Sequence, residues 1–158
     1  MIKLINLLKE IGDASSSPYI SSDALSLDIE KSGHFNVVTG KFTTDSGLTI
    51  KYEFRGVDPE IYGFEFMIDK APQHPVKSTP KEYLRIMSSI ILIINKFLSE
   101  NDISELWISG ADKPGFEGQK NKIYIKYVES LLKNNSKYFL KHNGDDLIIM
   151  NKKLLSKK

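Results

Sequence analysis

The sequence predicts an α+β fold: a mixed, mostly antiparallel sheet flanked by helices. Three observations predict it. Strict period-two alternation runs through "HFNVVTGKF", "LTIKYEFRG" and "EIYGFEFMID", the pattern of strands with one face buried. A sharply specified and very apolar helix follows in "STPKEYLRIMSSIILIINKF". After it come a short strand, an amphipathic helix and two apolar runs around an Asn-Gly turn, the strongest short-range hairpin signal.

The expected order begins with a short amphipathic helix in "MIKLINLLKEIG", where Ile2, Leu4, Ile5, Leu7, Leu8 and Ile11 recur among charged residues. This stretch lacks the unbroken apolar segment and the small-residue cleavage site of an export signal. Residues 13–33, rich in Ser, Asp and Gly, are expected to be a flexible loop region. A three-strand meander comes next. In its second strand Leu48, Ile50, Tyr52 and Phe54 share one face, with Thr49, Lys51, Glu53 and Arg55 on the other. In its third, Tyr62, Phe64, Phe66 and Ile68 oppose Ile61, Gly63, Glu65 and Met67.

The long helix should start at a capping box. The Thr79 hydroxyl accepts from the N–H of Glu82, the Glu82 carboxylate reaches back, and Pro80 takes the first helical position, where no N–H is needed. The unbroken apolar run Ile90 to Ile94 implies burial along most of its length, and Ile91 is expected in the packed core. "ELWISG" reads as a strand, and "ADKPGFEG", with Asp112, Lys113 and Phe116, as a loop that is either a binding lip or a simple connection. "QKNKIYIKYVESLLKN" places Ile123, Tyr124, Tyr127, Val128, Leu131 and Leu132 on one helical stripe. "KYFLKH" and "DLIIMN" close the chain as a hairpin before a basic tail, 152–158.

At 158 residues, 41% hydrophobic and 27% charged, residues 1–158 fit a single domain with a real core. The net charge of +2 is spread along the chain, which argues against a nucleic-acid footprint. There is no cysteine, which excludes disulfides, thiolate nucleophiles and Cys-ligated zinc. His34, His74 and His142 lack ligand spacing, so no metal is expected. G-x-S-x-G, Walker and deaminase patterns are missing. "IILIINKFL" falls far short of the roughly 20 apolar residues of a membrane span, and the expectation is a soluble, cytoplasmic protein.

From about Phe35 to Met150 this order of elements resembles the GNAT superfamily of N-acetyltransferases. "NKIYIKYVESL" is similar to the pattern in which an Asn precedes a Tyr near the start of that family's last helix. The resemblance implies that Asn121 stands on the CoA side and that Tyr124 protonates the leaving thiolate; the bland alternative for Tyr124 is a core tyrosine with its hydroxyl at the rim. Glu65, in the middle of the third strand, stands where a GNAT-type general base would sit; its alternative is a solvent-facing residue paired with Lys51 or Arg55. A second likeness is to small phage-encoded proteins with a Ser-Thr helix start, which would make a virion-associated location the alternative to the cytoplasm.

The family's pyrophosphate loop before the core helix uses small residues so that successive backbone N–H groups reach the phosphates at the helix's positive end. Here the same place reads "APQHPVKSTPKE", without glycine. Pro75 and Pro80 remove donors, Glu82 adds negative charge, and only Lys77 and Lys81 remain to attract an anion. The expectation is therefore a non-catalytic binding or assembly module without a cofactor, with a protein as its partner. The alternative is a divergent N-acyltransferase that uses acetyl-CoA.

Overall fold

The computed structural model describes residues 18–21, 25, 27–58, 60–69, 80–108, 119–133, 135–143 and 146–156. The expected N-terminal helix, the Thr79 cap and the loop following Ile108 lie outside the described residues. The strands are β1 (Glu30–Ser32), β2 (Phe35–Thr43), β3 (Thr49–Asp58), β4 (Ile61–Asp69), β5 (Glu105–Ile108), β6 (Tyr138–Asn143) and β7 (Asp146–Asn151). Two helices, α1 (Pro80–Glu100) and α2 (Gln119–Leu132), and a terminal 3-10 turn (Lys152–Ser156) complete the described elements.

The strands form one seven-stranded sheet in the order β1-β2-β3-β4-β5-β7-β6. Every pairing is antiparallel except β4 with β5, the two strands that α1 connects. Within the stretch 13–33 that composition marks as loop, Glu30–Ser32 pairs with β2 and Leu27 is buried in the core. The β2–β3 hairpin is pinned at its turn. Thr44 N donates to Leu48 O at 2.8 Å, Leu48 N donates to Thr44 Oγ1 at 3.1 Å, and Gly47 N donates to Thr44 O at 3.0 Å. This closure fixes a register in which Thr43 faces Thr49 and Gly40 faces Tyr52.

The alternation read from the sequence puts Ile50, Tyr52 and Phe54 on the same face as Tyr62 and Phe64, and these side chains are buried. Helix α1 lies on this face. Phe97 stacks on Phe54 at 4.1 Å between ring centroids and meets Tyr62 edge-on at 5.1 Å. Each such ring contributes roughly 1.5–3 kcal/mol by leaving water, with a further increment from its geometry. Helix α2 packs on α1, and the buried Tyr127 hydroxyl donates to Leu84 O at 3.1 Å. The run Ile90 to Ile94 divides: Ile90, Ile93 and Ile94 are fully buried, whereas Ile91 and Leu92 are half-buried. Ile91 is thus a rim residue packed against the core and not one of its fully enclosed side chains. A run apolar on every side does not reveal which side meets the sheet; the crossing of α1 over the strands decides that.

Candidate functional site

Glu65 stands on the solvent side of the sheet and is exposed. The β3–β4 register sets it directly across from Glu53, with Lys51 across from Met67 and Arg55 across from Gly63. The cross-strand partner expected for Glu65, Lys51 or Arg55, is therefore diagonal and not opposite. Arg55 instead pairs with Glu53 along its own strand, Nε to Oε1 at 2.7 Å. A groove of about 490 Å³ crosses β2, β3 and β4 here, with Lys41, Lys51, Glu53, Glu65 and Met67 along it. Met67 is 63% exposed. This face of the sheet is open to solvent at Glu65 and Met67.

Beside this groove β4 and β5 run parallel, and their pairing covers Ile61 to Phe64 against Glu105 to Ile108. Strand β4 then continues through Glu65–Asp69, paired with β3. Trp107 on β5 donates from Nε1 to Glu105 Oε2 at 3.3 Å.

The front of α1 is bound by the β2–β3 turn. Its first residue is Pro80, as its ring geometry favours. The Ser46 hydroxyl donates to Glu82 Oε1 at 2.9 Å, and Arg85 Nη1 donates to Asp45 Oδ2 at 2.8 Å. The Arg85 guanidinium also lies 3.9 Å from the centroid of the Tyr19 ring, a cation–π contact. Tyr19 N donates to Ser89 Oγ at 2.8 Å, and Ser89 Oγ donates to Arg85 O at 2.8 Å. Burial is the main cause that pushes the Tyr19 hydroxyl above its ordinary pKa, opposed by the Arg85 charge.

Of the other sequence candidates, Lys77 lies outside the described residues. Lys81 falls in the first turn of α1, and Asn121 and Tyr124 fall in the first half of α2; the described contacts of that helix begin beyond them, at Lys126 and Tyr127. Among the described residues, no group of three or more His, Asp or Glu is placed to hold a metal ion, and no helix is long and apolar enough to cross a membrane.

Two arrangements escape a reading of the sequence. One is at the far end of the sheet, where buried Asn151 donates from Nδ2 to Asp102 Oδ1 at 3.1 Å and to Ile103 O at 3.0 Å, and accepts at Oδ1 from Lys153 N at 3.0 Å. The other is Tyr52, whose ring lies across Gly40. A Cβ on Gly40 would overlap the Tyr52 ring and hydroxyl. The signal for this pair was in the hairpin: counting back from the turn pairs Gly40 with Tyr52, and a glycine opposite an aromatic residue marks a ring laid over backbone. Neither a protein-family model, a curated protein nor a solved structure matches the chain.

Proposed function

We propose that the chain is a non-catalytic binding or assembly module on a GNAT-like scaffold, with another protein as its partner. The contact between Ser46 and Glu82 carries this reading. At 2.9 Å it holds a carboxylate in the first turn of the helix whose positive end would have to meet a pyrophosphate. Negative charge there opposes a polyanion by direct repulsion and competes for the helix dipole. The glycine-free "APQHPVKSTP" before the helix removes the close backbone approach that a phosphate cradle needs. Glu65 supports the same reading, because an exposed carboxylate opposite Glu53 lacks the enclosure that tunes a general base.

The parallel β4–β5 pair favours a second reading, a divergent N-acyltransferase. In the GNAT family these two strands splay to admit the pantetheine arm, and here β4 continues through Glu65–Asp69 beyond its pairing with β5. In that reading Glu65 is the base, Tyr124 the acid, Asn121 a CoA-side contact, and Lys77 and Lys81 the replacement for the missing phosphate donors. Acetyl-CoA titration separates the two. For the binding module, millimolar acetyl-CoA leaves the melting temperature unchanged and no amine becomes acetylated. A clear stabilisation that disappears in the double variant Lys77→Ala/Lys81→Ala, with turnover slowed in Tyr124→Phe, establishes the acyltransferase instead.

A further inference from the structure

At the sheet edge formed by β2, an open cleft of about 760 Å³ is lined by Pro18, Tyr19, Ile20 and Leu25 on one side and by Lys41 and Tyr52 on the other. Its volume is in the range of small-molecule sites. The β1–β2 pairing ends at Val37, so among the described strands none continues along β2 at this point. Tyr52 forms the cleft's inner wall. It is 7% exposed, and because Gly40 has no side chain, its ring reaches across β2 with the hydroxyl ending over the Gly40 backbone. Among the described residues, none forms a hydrogen bond with that hydroxyl. A buried hydroxyl without a partner is costly to keep, and one that forms the wall of a cleft acquires a partner when a ligand enters.

The surrounding chemistry defines that ligand. Burial raises the Tyr52 pKa above its ordinary value, so the hydroxyl remains a donor and calls for an acceptor. The cation at this rim is the exposed Lys41, which favours an anionic head. The opposite wall of Pro18, Ile20 and Leu25 suits an apolar body. We propose that this cleft binds an amphiphilic carboxylate, whose head accepts from the Tyr52 hydroxyl beside Lys41 and whose apolar tail lies along Pro18, Ile20 and Leu25. The cleft shares Tyr19 with the contacts at the front of α1 and shares Gly40, Lys41 and Tyr52 with the groove along which Glu65 lies. Among the described residues, however, neither Glu65 nor a residue of α1 lines it, and the proposal does not depend on acyl-CoA binding.

The test uses octanoate as the probe, followed by calorimetry and by the amide signal of Gly40 in NMR titrations. Octanoate should bind saturably and shift that amide, while octyltrimethylammonium, with the same tail and the opposite head charge, should not. Tyr52→Phe keeps the ring over Gly40 and removes only the donor; it should weaken octanoate binding roughly tenfold or more, the effect of losing a hydrogen bond to a charged group. Lys41→Gln should weaken binding a few-fold and flatten its salt dependence. Absence of saturable octanoate binding to the intact protein overturns the proposal. So does equal affinity for the cationic probe, unchanged affinity in Tyr52→Phe, or unchanged affinity in Lys41→Gln.

Discussion

The Tyr52 ring lies across Gly40, its direct partner on β2, so closely that a Cβ at that position would overlap it. Gly40→Ala should therefore lower stability by about 1–3 kcal/mol, the cost of forcing a buried ring off its site. Tyr52→Phe should behave oppositely in the ligand-free protein and leave stability unchanged or slightly higher, since it removes a hydroxyl that forms no hydrogen bond with any of the described residues. Urea melts of the two variants check both. A Gly40→Ala variant as stable as the parent would mean that the ring is free to move aside.

Ile90 and Ile91 are neighbours in sequence but differ in environment: Ile90 is fully enclosed and Ile91 half-buried. Ile90→Ala should cost about 2–5 kcal/mol through the cavity it leaves, and Ile91→Ala clearly less, because its half-buried side chain already borders solvent, which fills part of the space. Chemical denaturation of the pair reads the difference directly.

These residues show what was legible in the chain. Strand and helix identities follow from local periodicity: the alternation through Ile50, Tyr52 and Phe54 holds, and so do the helix start at Pro80 and the hairpin joining β6 to β7. The order of strands was not legible. β7 pairs with both β5 and β6, an outcome set by contacts between distant segments and not by any local pattern. The site was legible only in part. The position of Glu65 in the middle of a strand was legible, but its opposition to Glu53 depends on the β3–β4 register. The contacts of Arg85 with Asp45 and Tyr19 depend on where the β2–β3 turn lands on α1.

Glu65 and Glu53 face one another across β3 and β4, and like charges in that position repel. Glu65→Lys converts the repulsion to attraction and should raise stability by roughly 0.2–1 kcal/mol. The gain should shrink in high salt, because both side chains lie at a surface where ions screen them. Melting temperatures at low and high ionic strength provide the check, and a gain independent of salt would point to a cause other than charge.

Asn151 joins the end of β7 to the chain entering β5 through Asp102, Ile103 and Lys153. It is 2% exposed, so Asn151→Ala takes its donor from the buried contact with Ile103 O and its acceptor from Lys153 N and should cost about 1–3 kcal/mol. Asn151→Asp tests the same point more finely. It keeps the acceptor for Lys153 N but turns the donor toward Asp102 and Ile103 O into a second acceptor, and it should be at least as damaging near neutral pH.

Asp102 makes this end of the sheet sensitive to acid. Lys137 Nζ lies 3.1 Å from one carboxylate oxygen and Lys153 Nζ 3.4 Å from the other. Hydrogen bonds from these ammonium groups, Lys137 first, hold the Asp102 carboxyl below its ordinary pKa. The folded protein therefore binds this proton less readily than the unfolded chain. The resulting stabilisation is present above the ordinary carboxylate value and is lost as pH falls through the lowered one. Asp102→Asn should remove that dependence, so that its melting temperature falls less steeply than the parent's between about pH 5 and pH 2. The two should differ most near neutral pH and converge in acid. Because Asp102 is exposed and its pairs are open to solvent, the difference should be small and should narrow further in high salt. Identical acid limbs for Asp102→Asn and the parent at low ionic strength would show that the Lys137 and Lys153 pairs contribute nothing to folding.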